Sequence, residues 1–90
     1  MNNQDLKNKL IETISKELKI ERNSISLGNS ANDFTEWDSL SNVRLTLKLE
    51  KEFNITISYS ETAIMDDIND LFQLIKNKIL DKNLKSKMEV

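Results

Sequence analysis

Asp38-Ser39 sets a carboxylate beside a hydroxyl just ahead of the apolar run that opens at Leu40, and this pair is where the 90-residue chain offers chemistry. An Asp in this place caps a helix, its carboxylate accepting from a free backbone N–H of the first turn. A hydroxyl one residue further on projects outward, so a phosphodiester attached to it would meet unpaired N–H groups and the positive end of the helix dipole. That interaction is worth only about 0.3–1 kcal/mol at an exposed site. It tolerates a phosphate group and catalyses nothing. Taken by itself, Asp-Ser before an apolar residue is simply a cap, and both readings stand at this point. The chain has no Cys and no His, which removes thiol nucleophiles, thiolate zinc sites, disulfides and every catalytic arrangement built on imidazole. No catalytic residue and no metal ligand is assigned.

A hydroxyl in that role needs a helix start to hold it, and the chain is rich in helix. It has no Pro and a single Gly, Gly28, whereas an all-β chain needs turn residues every several positions. Leu6, Leu10, Ile14 and Leu18 recur every four residues, Ile11 joins them, and Asp5 lies where a helix favours negative charge, so the first helix is expected from about residue 4 to 19. From Glu21 to Asp38 the pattern gives way to Asn, Ser, Thr and Asp, punctuated by Ile25, Leu27, Phe34 and Trp37. That is a long loop pinned by apolar anchors, and loops beyond about 12–15 residues in compact domains are often functional. Asp38 caps a second helix from Ser39 to about Phe53, with Asn54 as its stop. Ile55-Thr56-Ile57 alternates like a strand, but one short run with no partner builds no sheet, so it is read as an extended connector. Ser60 is expected to cap a short third helix through Met65. Asp66 or Asp67 then caps a last helix whose stripe is Ile68, Leu71, Phe72, Ile75 and Ile79. The fold class is all-α, a four-helix bundle with a long loop between helices one and two. Residues 1–82 form its single domain, and 83–90 form a polar, flexible tail.

A domain near this size hides only roughly 60–65% of its unfolded surface, so it has one modest core and little room for a deep catalytic cleft. Hydrophobic residues at 38% and charged residues at 31% lie in the soluble globular range and argue against wholesale disorder. A net charge of -2 is far from the basic footprint that a phosphate backbone selects. The opening Met1-Asn-Asn-Gln-Asp-Leu lacks a charged leader followed by an apolar block, and no stretch approaches the ~20 apolar residues of a membrane span. The expectation is a cytoplasmic monomer that neither binds nucleic acid nor spans a membrane.

On a wheel at about 100° per residue the apolar residues of helix two separate into two groups. Leu45, Leu49 and Phe53, with Thr46 beside them, make one stripe. Leu40, Val43 and Leu47 lie nearly opposite, flanked by Arg44 and Lys51. Either the helix is central and buried on both sides, or one strip is kept for a partner, because a small bundle has too few helices to cover every side of one member.

The residues Trp37-Asp38-Ser39-Leu40, then Val43, Leu45, Leu47, Leu49-Glu50, Glu52-Phe53, Ile55 and Ile57, resemble the acyl carrier protein family, in register from about Phe34 to Ile75. The resemblance implies a carrier, not an enzyme. Ser39 is similar to the serine that a phosphopantetheinyl transferase modifies with 4′-phosphopantetheine from coenzyme A, which makes the holo form a phosphoprotein. The flexible arm then bears acyl or aminoacyl groups as thioesters, so the cofactor supplies the thiol that the chain lacks. Trp37, Asp38 and Leu40 complete the motif around that serine. Leu45, Thr46, Leu49 and Ile68 look like positions where the family can shelter an acyl chain, with ordinary core packing as the alternative for each. Met65 lies where the family's third helix borders the arm, with gap-filling core as its alternative. Val43, Arg44, Leu47, Lys48, Lys51 and Met65 form the docking set for acyl-loading and acyl-transfer enzymes.

Some features depart from the family pattern. Fatty-acid carriers are typically acidic along the partner-facing side of helix two, but here Arg44, Lys48 and Lys51 occupy it, and Glu36-Trp37 replaces the usual Gly before the motif. Ser58-Tyr59 stands where a Pro often follows the Ile-x-Ile connector. The Trp37-Asp38-Ser39-Leu40 form resembles dedicated carriers of specialised bacterial biosynthetic pathways. The alternative is a small helical protein–protein interaction module or homodimer without a cofactor, using Leu40, Val43 and Leu47 as its strip. Nucleic-acid binding by Arg44, Lys48 and Lys51 ranks lower, because three cations on one helix are usually a solvated face.

Overall fold

A computed structural model describes residues 2–88, with side-chain surroundings described for residues 2–84. Among the described residues the chain is all-helical, with four α-helices, two short 3₁₀ turns and no strand. The helices are α1 (Asn3–Leu18), α2 (Ser39–Phe53), α3 (Tyr59–Ala63) and α4 (Ile68–Met88). No helix among the described residues is long and apolar enough to cross a membrane.

Periodicity decides the packing. Leu6, Leu10, Ile11, Ile14 and Leu18 of α1 are buried against Leu45, Leu49 and Phe53 of α2 and Ile68, Leu71, Phe72 and Ile75 of α4, in one continuous core. Asn2 caps α1 through the Asp5 N–H, and Lys19, in the left-handed region at φ 58°, ends it. Asn54 ends α2 in the same way, at φ 54°. Both left-handed positions fall on side-chain-bearing residues, whereas Gly28 has no positive φ and open space where a Cβ would sit. The only glycine is not what permits the turns.

The loop between α1 and α2 is held at several points. Ile25 is buried, while Leu27, Phe34 and Trp37 pack against the core. The 3₁₀ turns Arg22–Ser24 and Ala31–Asp33 tighten it, the second through a capping box between Ser30 and Asp33. The loop also reaches α4. The N–H groups of Ile68 and Asn69 donate to the carbonyls of Asn29 and Leu27, both at 2.8 Å. Two first-turn amides that a helix cannot satisfy internally are thereby satisfied by the loop, and Asp67 accepts from Asp70 N–H at 2.9 Å in the same turn.

Two boundaries differ from the sequence expectation. The cap of α3 is Ser58 rather than Ser60, because Glu61 stands three residues after Ser58 and completes a reciprocal capping box. Ser60 has no such partner and lies inside the helix, which stops at Ala63, short of Met65. The last helix continues past Lys82 to Met88, so it takes in most of the segment read as a tail; residues 89–90 of that segment lie outside the described residues.

The short α3 buries none of its residues. Glu61 carries much of its attachment, accepting from Ser58 N–H at 2.9 Å and pairing with Lys78 of α4 at 2.9 Å. The Ser58 amide first, and then the Lys78 ammonium, pull the Glu61 carboxyl from its usual 4.5 to about 2. A depressed carboxylate stabilises the fold fully above its unfolded value, and that contribution is lost as pH falls through the folded one. Glu61→Ala should lower the Tm at neutral pH, and the gap from the parent chain should close between pH 4.5 and 2 in thermal unfolding. A gap that does not change with pH would show that the carboxylate adds nothing.

Candidate functional site

Ser39 is the first residue of α2, and it is exposed. Asp38 caps the helix: its Oδ1 accepts from Ser41 N–H at 2.8 Å and its carbonyl from Asn42 N–H at 2.9 Å. The Ser41 amide, then the Ser41 hydroxyl, hold the Asp38 carboxyl below the usual carboxylate range, and the Arg44 charge acts in the same direction. Asp38 is therefore an ionised acceptor committed to its own helix end, not a proton donor. The Ser39 hydroxyl enters no hydrogen bond among the described residues. Ser41, by contrast, is only 7% exposed.

Trp37 fixes the approach to this serine. Its indole N–H donates to Asn42 Oδ1 at 3.0 Å, and its ring stacks on Phe34 with centroids 6.4 Å apart. The end of the long loop is thereby tied to the first turn of α2, and Ser39 lies between the two tied residues. A serine on a free loop would lack that placement.

Helix α2 carries its two apolar stripes to different fates. Leu45 and Leu49 are 1% exposed, whereas Leu40 is 70%, Val43 52% and Leu47 61% exposed. The second stripe is not covered by the bundle. Two further exposed residues that sequence reasoning passed over are Tyr59 of α3, which lines a groove with Val43 and Leu47, and Ile64 at the end of α3. A five-residue helix carries too little periodicity to reveal which side it buries, so no sequence signal could have found them. Between α2 and α3 an open groove of about 140 Å³ is walled by Val43, Thr46, Leu47, Ile57, Tyr59 and Thr62. Glu50 borders it too, but its Oε2 accepts from Ile57 N–H at 2.9 Å and so turns toward the connector.

The expected docking cations are not equivalent. Lys48 pairs with Glu52 at 3.3 Å, one turn along the helix. Arg44 and Lys51 are exposed and form no ion pair among the described residues. Met65 stands apart from the outer strip: it packs half-buried against the core and lines a cavity of about 60 Å³ with Trp37, Asn42 and Ile68. The four residues considered for sheltering an acyl chain do not line one cavity. Leu45 and Leu49 belong to the packed core, Ile68 borders the small cavity beside Met65, and Thr46 lines the outer groove while its hydroxyl donates to the Asn42 carbonyl at 2.8 Å. Among the described residues no group of three or more His, Cys, Asp or Glu side chains is placed to hold a metal ion. No family model matches the chain.

The difference between the two stripes is measurable. Leu49→Ala empties a filled core site and should cost about 2–5 kcal/mol in urea or thermal unfolding. Leu47→Ala removes an exposed side chain and should stay within about 0.5 kcal/mol. Equal, large losses at both positions would mean that the outer strip is covered after all.

Proposed function

We propose that the chain is an acyl carrier protein, bearing acyl or aminoacyl groups on a 4′-phosphopantetheine arm attached at Ser39 and serving a specialised biosynthetic pathway. The observation that carries this reading is an exposed, uncommitted serine hydroxyl at the first position of a capped helix, directly beside an uncovered apolar strip. A transferase needs the first of these and every later partner needs the second. The resemblance of Trp37-Asp38-Ser39-Leu40 and the residues after it to the carrier family adds the chemistry.

The residues fit a phosphodiester at this place. Ser39 presents its hydroxyl to solvent at the positive end of α2, and the Asp38 charge beside it is already spread over the Ser41 amide and hydroxyl. Arg44, further along α2, supplies positive charge that acts on the same carboxylate. The arm itself, once bound, contributes the thiol that forms the thioester. Every other task of the chain is positional: Trp37 and Asp38 fix the serine, and the core of α2 keeps its axis rigid, so that the arm swings from a fixed root. Ser39 Oγ is the nucleophile only when the arm is attached, taking the phosphopantetheine phosphate as the nucleotide part of coenzyme A leaves; to acyl transfer the chain's side chains supply no acid, base or nucleophile, which leaves that catalysis to the loading and transfer enzymes.

The exposed strip also suits an interaction module that needs no cofactor. Coenzyme A separates the two readings. With Mg²⁺, coenzyme A and a broad-specificity phosphopantetheinyl transferase, intact-mass analysis should show one adduct on the parent chain, one on Ser41→Ala and none on Ser39→Ala. Ser41 is the informative control, since its buried position denies it to a transferase. An unmodified parent chain, or an adduct on the Ser39→Ala variant, would sink the carrier reading.

A further inference from the structure

Of the seven large hydrophobic side chains exposed among the described residues, five lie on α2, on α3 or at the end of α3: Leu40, Val43, Leu47, Tyr59 and Ile64. The other two, Leu80 and Leu84, lie on α4. Scattered single apolar residues need no explanation, but Val43, Leu47 and Tyr59 wall one groove, and Leu40 lies on the same side of α2 as Leu47. The groove of about 140 Å³ runs between Val43 and Leu47 on one wall and Tyr59 and Thr62 on the other. Its size is close to the ~150 Å³ apolar cavity that accepts a single benzene-like ring, so it takes one bulky side chain and not a long one.

The charge around this surface is one-sided. At about 100° per residue, Lys51 and Arg44 fall within roughly 40° of Leu40, on the flank of the strip away from Val43 and the groove. Neither is neutralised by an ion pair among the described residues, whereas Lys48, further round, is held by Glu52. Glu50, the carboxylate that lines the groove, is already engaged with the Ile57 amide, and Glu61 of α3 is engaged with Lys78 and Ser58. What this face offers is an apolar slot with an unpaired cationic edge.

We propose that the α2–α3 face docks a helical element of a partner protein that inserts one bulky apolar side chain between Leu47 and Tyr59 and lays carboxylates along the Arg44–Lys51 edge. The proposal names the partner chemistry of the carrier site, and it rests on the carrier reading for that partner being an enzyme that acts on the arm. Binding of this kind draws affinity from the buried anchor. It draws partner selection from the rim charges, which favour an acidic flank and reject a basic one. The relevant edge is Arg44 with Lys51, since reversal of Lys48 would mainly disturb its pair with Glu52.

The test uses the unmodified chain and two designed amphipathic peptides with identical apolar faces, one with Glu along one flank and the other with Lys there. Titration is followed through the backbone amide resonances of the chain. The Glu peptide should shift residues 40–51 and 59–64 and bind about tenfold more tightly than the Lys peptide at low salt, the advantage shrinking toward ~0.15 M, where charges are screened beyond ~8 Å. Arg44→Glu with Lys51→Glu should reverse that ranking, and Leu47→Asp should weaken both peptides. Equal affinities, tighter binding of the Lys peptide, shifts confined to the Leu80–Leu84 strip of α4, or no binding of either peptide would overturn the proposal. So would sedimentation showing that a second copy of the chain covers this face. None of these measurements involves coenzyme A, so failure of docking and failure of Ser39 modification are separate results.

Discussion

A ninety-residue chain folds into too few helices to cover α2 on both sides, and α2 carries two apolar stripes. Burial of Leu45, Leu49 and Phe53 against α1 and α4 occupies the available neighbours. The second stripe is left to solvent as a direct consequence. Its exposure costs hydrophobic stabilisation that a small domain has little of to spare, which is why a surface role for Leu40, Val43 and Leu47 is a better account than chance. Had the inner stripe been weaker, the helix would have no reason to choose a face.

Helix α2 is also anchored at both ends. At the start, Asp38 takes the Ser41 amide and Trp37 holds Asn42. At the finish, Lys9 of α1 donates to the Glu52 carbonyl at 2.9 Å and lies 5.0 Å from the centre of the Phe53 ring. Lys82 of α4 donates to the Asn54 carbonyl, also at 2.9 Å. Cations at a helix C-terminus satisfy free carbonyls and oppose the dipole in the same stroke. Both flanking helices therefore fix the axis on which Ser39 rides.

The region around α3 is built differently. It has no buried residue and is tied to α4 through the pair of Glu61 and Lys78. Its neighbours Ile57 and Met65 carry the apolar attachment instead, Ile57 buried and Met65 half-buried. One wall of the surface groove is thus strongly held and the other lightly held. Segments with few buried contacts open at low free-energy cost, so any adjustment of the groove to an occupant falls on Tyr59 and Thr62 rather than on Val43 and Leu47.

Much of this was legible in the sequence because it depends on local rules. The four-residue spacing in α1, the cap at Asp38, the stop at Asn54 and the two stripes of α2 are each set by residues within a few positions of one another. The position of Ser39 at the start of α2 was legible for the same reason. The cap of α3 was misplaced by two residues because Ser58 and Ser60 are both good caps, and only the reach of Glu61 back to Ser58 separates them. Tertiary structure alone decided that the outer stripe of α2 stays uncovered, that Tyr59 walls a groove beside it, and that the amides opening α4 are met by the carbonyls of Leu27 and Asn29. It also decided that Lys48 is paired while Arg44 and Lys51 are not. These facts depend on groups far apart in the chain, or on side chains choosing among several partners in reach. Periodicity names the faces of a helix, but only the packed neighbours determine which face meets water.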